Sequence, residues 1–128
     1  MAHPGPFVIG IGVDLCEVDR MRAALARTPT LRARVFTDEE QAYCDRRHDP
    51  TERYAARFAA KEAVMKAMGV GVGACQWRDI EVAKAEGGAP SVRLHGGARA
   101  LADERGIEQW HLTLTHTHRV AEAIAIAE

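Results

Sequence analysis

The sequence carries almost no charge excess. Its 17 lysines and arginines against 18 aspartates and glutamates give a formal net charge of −1, which excludes a general binder of polyanions. It also lacks any apolar run long enough to span a membrane. The opening Met-Ala-His-Pro-Gly-Pro-Phe has no basic region followed by an apolar one and does not read as a secretory signal. Cysteine is sparse: Cys16, Cys44 and Cys75 are odd in number and far apart, with no Cys-x-x-Cys. Neither a zinc ribbon nor a disulfide framework is indicated, and the expected compartment is a reducing cytoplasm. There is no internal repeat and no low-complexity segment.

The 128 residues present suit one domain, 1–128, with residues 1–6 as a loose leader. Residues 7–14 form a short apolar run ending in Asp14, which predicts a buried strand with a carboxylate at its end. A helix is expected from Glu17 to Arg27, closed by Thr28-Pro29. Thr37 and Glu40 have capping-box spacing and should open a helix that ends near Arg47. The longest helix should start at Asp49-Pro50-Thr51 and run to Met68, with Gly69 as its stop. Residues 79–84 and 91–95 read as strands joined by a turn around Glu86-Gly87-Gly88. A short helix, Ala98–Arg105, and a hairpin of Trp110–Thr115 with Val120–Ala127 complete the chain. Strands and helices do not alternate regularly. The expected fold is therefore compact α+β, a small antiparallel sheet packed with a long central helix, rather than a doubly wound sheet.

The helix core reads Arg57-Phe58-Ala59-Ala60-Lys61-Glu62-Ala63-Val64-Met65-Lys66. Glu62 and Lys66 are four apart and share a face. Taken alone, they are an ordinary helix ion pair, and Asp14 alone is an ordinary turn or N-cap residue. Together, two carboxylates set among apolar neighbours could supply hard oxygen ligands. Magnesium takes one or two protein carboxylates and fills its other positions with water and phosphate oxygens.

Gly12-Val13-Asp14 and Phe58-x-x-Lys61-Glu62-Ala63-x-x-Lys66 together resemble the signatures of the phosphopantetheinyl transferase superfamily. The resemblance continues through Arg57, the glycine-rich 69–76, Asp79-Ile80-Glu81-Val82, Gly88-x-Pro90 and Thr113-Leu114-Thr115-His116-Thr117. It covers Val8 to Ala127, and the chain length is similar to that of the short, trimeric branch. The resemblance implies transfer of phosphopantetheine from coenzyme A to a serine of an acyl carrier protein. It makes Asp14 and Glu62 magnesium ligands, and Glu62, Lys66 and Asp14 the catalytic residues. It sets Arg57, Lys61, Lys66, Gly69, Gly71, Gly73, Thr115, His116 and Thr117 around coenzyme A. Sites would lie between subunits, so His116 could serve a neighbour. Whether Glu62 acts as base directly or through water stays open, as does the choice among fatty-acid, polyketide and peptide carriers.

Glycines let backbone approach a ligand closely, but a glycine loop following a helix is neither a P-loop nor a Rossmann turn. His111, His116 and His118 cluster without a cysteine or acid at metal-ligand spacing, so a zinc site is disfavoured. Trp77 and Trp110 read as core or interface residues. Arg46-Arg47-His48 could meet a phosphate or form a solvated turn. Between Arg20 and Thr37 there are five arginines and no acid. Taken alone this stretch is a solvated basic face, and without interleaved aromatics it does not point to nucleic acid. By resemblance, Arg20 and Arg27 would grip the acidic carrier.

Overall fold

A computed structural model describes residues 7–84 and 88–128. The elements run β1 (Gly10–Glu17), α1 (Val18–Arg27), α2 (Leu31–Val35), α3 (Asp38–Cys44), α4 (Thr51–Met68), a 3-10 turn (Trp77–Asp79), β2 (Ile80–Lys84), β3 (Pro90–Leu94), α5 (Gly96–Glu104), β4 (Trp110–His116) and β5 (Val120–Ala127). Two antiparallel sheets result, β1-β5-β4 and β2-β3. The long helix α4 packs on the larger sheet, as an α+β fold with a central helix requires.

Local signals account for most element ends. Thr37 and Glu40 form the capping box: Glu40 N–H donates to Thr37 Oγ1 at 3.1 Å, and Thr37 N–H donates to Glu40 Oε1 at 2.8 Å. Asp49 accepts from the Thr51 amide and hydroxyl at the start of α4. Gly69 ends α4 with φ 75°, a conformation that favours glycine. The helix expected to reach Arg47 stops at Cys44, and α2 has no forerunner in the sequence reading. Residues 1–6, Glu86 and Gly87 lie outside the described residues.

β1 departs from expectation in a way that matters. The strand runs on to Glu17, so Asp14 sits within it rather than at its end. Its large apolar side chains face outward: Ile11, Val13 and Leu15 are exposed. The inward positions are Gly10, Gly12, Asp14 and Cys16, paired in register with Ala127, Ala125, Ala123 and Ala121. All four alanines are fully buried. A Cβ on Gly10 would lie 1.8 Å from Ala67 O, and one on Gly12 would lie 1.8 Å from Ala63 O. The strand backbone therefore rests directly on the helix backbone, with no side chain between them. Gly12→Ala cannot be accommodated without parting β1 from α4. It should lower the unfolding free energy by about 3 kcal/mol or more, read as a shift of the urea midpoint. A loss under about 1 kcal/mol would mean that the two backbones are not in contact.

Candidate active site

Because β1 lies so close to α4, Asp14 projects toward the helix turn that carries Glu62 and Lys66. Lys66 Nζ donates to Asp14 Oδ1 at 2.9 Å and to Val13 O at 3.0 Å. The Glu62 carboxyl lies near enough to Asp14 for the two to interact electrostatically. Burial, then the Asp14 carboxylate, pushes the Glu62 pKa above the ordinary glutamate value, and Lys66 opposes this only in part. The pair is short of positive charge. Two apposed carboxylates with one solvent-facing ammonium fit a hard divalent cation better than they fit each other. Among the described residues no group of three or more His, Cys, Asp or Glu gathers into a metal cage. Cys16 follows Asp14 on the same strand face. Burial, with Glu62 and Asp14, pushes its thiol up to about 11, so it is a neutral bystander rather than a nucleophile.

A second feature is strongly basic. The Tyr43 ring is surrounded by Arg53 at 4.1 Å, Arg57 at 4.3 Å and Lys84 at 4.7 Å, measured to its centroid. Lys84 Nζ donates to the Tyr43 hydroxyl at 2.8 Å. Burial disfavours ionisation of that phenol, yet Lys84, Arg53 and Arg57 outweigh it and bring the group below its ordinary value. Arg57 is buried, and its Nε has no hydrogen-bond partner among the described residues. A cavity of about 300 Å³ opens here, lined by these cations with Arg47, Gly88, Pro90 and His116. Such a cluster of like charge suits a multiply anionic ligand.

The structure separates the other expected site residues. Gly69 and Gly73 have φ of 75° and 101°, while a Cβ at Gly71 would have nothing within 4 Å among the described residues. His116 ends β4 beside the basic cavity, where Glu52 accepts from it at 2.9 Å and also contacts His118 at 3.2 Å. Thr117 Oγ1 accepts from the Arg119 and Val120 amides, closing the β4–β5 turn. Thr115, one residue before His116, points to the opposite, outer face of the sheet. Lys61 is not at the site. It is fully buried on another side of α4 and bonded to Glu40, so its ammonium is not open to a ligand. Of the five arginines, Arg22 pairs with Asp49 and Arg32 with Asp45. Arg20 and Arg27 are exposed on α1 and make no ion pair among the described residues.

Tyr43, Arg53 and Lys84 escaped the sequence reading. One signal was available: Arg53 and Arg57 are four apart on one helix, a like-charge pair that an isolated helix disfavours. Tyr43 and Lys84 come from other elements and carried none.

The model of the 4'-phosphopantetheinyl transferase superfamily matches residues 10–124. This chain belongs to that superfamily. It is 50% identical over 117 residues to the holo-[acyl-carrier-protein] synthase of Moorella thermoacetica, covering 91% of each chain. The crystal structure of the Neisseria meningitidis holo-[acyl-carrier-protein] synthase superposes with TM-score 0.87 at 28% identity, covering 95% of this chain and 99% of that one. The Helicobacter pylori holo-[acyl-carrier-protein] synthase in complex with coenzyme A superposes with TM-score 0.82 at 26% identity, covering 92% and 99%. In this phosphopantetheinyl transferase the Asp14 and Glu62 carboxylates form a pair whose like charges need relief.

That need has a consequence for stability. The folded protein holds the Glu62 proton more tightly than the unfolded chain, so this group's contribution falls as pH rises above the ordinary glutamate range. Glu62→Gln removes the penalty. In buffer with a chelator, the variant should melt at a higher temperature than wild type at pH 8, and the difference should shrink toward pH 4. A variant that melts lower at pH 8 than wild type would contradict the assigned strain.

Proposed function

We propose that this protein, acting as one domain in the cytoplasm, is a holo-[acyl-carrier-protein] synthase. It transfers the 4'-phosphopantetheine arm of coenzyme A to a serine of apo acyl carrier protein and releases adenosine 3',5'-bisphosphate. The observation that carries this reading is the Asp14–Glu62–Lys66 constellation in a chain half identical to a holo-[acyl-carrier-protein] synthase. Three cysteines without a disulfide agree with a reducing compartment. Among the described residues no helix is long and apolar enough to cross a membrane.

The serine oxygen forms a bond to the β-phosphorus of coenzyme A, and the phosphoanhydride bond to the leaving bisphosphate breaks. Asp14 and Glu62 would hold magnesium, which when bound supplies neutralising charge to the pyrophosphate. Glu62, whose proton affinity burial raises, accepts the serine proton directly or through one water. Lys66, exposed and already turned toward Asp14, stabilises charge on the leaving oxygen. The anionic end of coenzyme A belongs in the basic cavity, which Arg57 lines together with Arg53, Lys84 and His116. The open glycine loop, Gly69, Gly71 and Gly73, borders the same ligand. Arg20 and Arg27 are left to meet an acidic carrier, the one serving fatty-acid synthesis being the expected acceptor.

Intact mass spectrometry of an apo carrier incubated with the protein, coenzyme A and magnesium should show addition of one phosphopantetheine. Asp14→Asn and Glu62→Gln should each cut the rate by about 100-fold or more. No mass gain on any apo carrier, with tight coenzyme A binding by calorimetry, would leave a binding module instead of an enzyme.

We also read the chain as a homotrimer. The outward face of the larger sheet presents exposed Ile11, Val13 and Leu15 beside half-buried Ile124 and Ile126, an apolar surface of a kind that monomers rarely expose. Thr115 shares this face, which would place it, but not His116, against a neighbouring copy. Light scattering after gel filtration should give three times the chain mass for wild type, and Ile124→Glu should give a smaller species. A wild-type monomer at micromolar concentration would overturn this.

A further inference from the structure

Lys61 neighbours Glu62 in sequence, yet helix geometry turns it about 100° away, toward the segment that follows the glycine loop. Its side chain is fully buried, and each of its three donors has a partner: Glu40 Oε1 at 2.8 Å, Trp77 O at 3.2 Å, and Ile80 O. Glu40 is equally enclosed. Its Oε1 also accepts from Thr37 N–H at 2.8 Å and its Oε2 from Val82 N–H at 2.9 Å. One ion pair thus ties α3, α4, the 3-10 turn and β2 together.

A buried ion pair is a weak source of stability, since apolar residues of similar volume often do as well or better. What apolar residues cannot do is hold two carbonyls in fixed directions. The glycine loop leaves α4 at Gly69, where Val70 N–H donates to Met65 O at 3.0 Å, and returns at Trp77. Glycines make the ordering of such a loop costly in entropy. At the return end, the Trp77 ring stacks on Phe58 with centroids 5.0 Å apart, and the Trp77 and Ile80 carbonyls are held by Lys61. All three contacts come from the helix stretch that carries Glu62 and Lys66.

We propose that Lys61 is a positioning residue: its hydrogen bonds to Trp77 O and Ile80 O fix the returning end of the glycine loop to the helix that carries Glu62, and so set the shape of the coenzyme A site. The proposal rests on the reading that this loop borders coenzyme A. Lys61 itself touches no substrate.

The test is the paired variant Glu40→Gln/Lys61→Met, which removes both buried charges together, whereas Lys61→Met alone would strand the Glu40 carboxylate. The thermal midpoint, amide hydrogen exchange over residues 70–80, the Kd for coenzyme A, and KM and kcat are compared with wild type. A folded paired variant should show loop amides exchanging about tenfold faster or more, and a Kd and KM for coenzyme A raised by about tenfold. KM should rise by more than kcat falls. A folded variant with wild-type loop exchange, or with faster exchange and unchanged coenzyme A binding, overturns the proposal. If the paired variant does not fold, native-state exchange on the unaltered protein decides. Amides 77–82 must then open in one cooperative unit with α4, and a separate, easier opening of 77–82 refutes the anchor. Absence of transfer by wild type in the mass assay would count against the functional reading alone, because exchange reports on the anchor without any turnover.

Discussion

The contact between the backbones of β1 and α4 governs the rest of this structure. Gly10 and Gly12 meet the carbonyls of Ala67 and Ala63 with no room for a methyl group. A strand that presents only hydrogens to a helix approaches it closely enough that the next inward side chain, Asp14, reaches the turn bearing Glu62 and Lys66. The alanines at 121, 123, 125 and 127 extend the same flat, small-residue surface across β5. Close approach also has a price on the other side. The bulk that β1 cannot place inward, Ile11, Val13 and Leu15, goes outward, so one constraint builds the carboxylate pair and leaves an apolar outer face.

Two kinds of enclosed charge mark the difference between holding the fold and doing chemistry. Around Lys61 every donor and acceptor is matched, and the ammonium has nothing left to offer a ligand. Around Glu62 the balance is incomplete, since two carboxylates face each other with one lysine, and at the basic cavity a buried guanidinium nitrogen of Arg57 has no partner among the described residues. Unmatched charge is costly in a folded protein unless something else supplies the partner. The two unmatched places have opposite sign. The first suits a cation and the second an anion.

Much of this was legible in the sequence because it depends on near neighbours. The extent of α4 followed from Asp49-Pro50-Thr51 and Gly69, α3 opened where Thr37 and Glu40 predicted, and Glu62 and Lys66 shared a face through helical spacing alone. What could not be read depends on contacts between distant segments. An apolar run such as 7–14 looks buried, and only the glycine contact with α4 shows that its side chains point the other way. Glu40 read as a capping residue and is one, but its partnership with Lys61 spans 21 residues. Lys61 was expected at the ligand because it sits in the motif beside Glu62. A helix turns successive side chains by about 100°, so adjacency in a motif is separation in space. α2, only five residues long, is too short to show a period.

The β4 strand shows how closely the two faces of the sheet are linked. Thr115 faces outward with the apolar surface, and His116 faces the basic cavity. The register Thr115↔Glu122 and His116↔Ala121 fixes that alternation, and a slip of one residue would exchange the two. The register is itself held at the turn, where Thr117 accepts from two amides, and along β5, where four fully buried alanines lie on the inward face. The small residues under the helix therefore specify more than packing. By fixing the register of β5 they decide which residues of β4 join the outer apolar face and which line the basic cavity, so both surfaces depend on the same glycine–alanine contact that brings the carboxylates together.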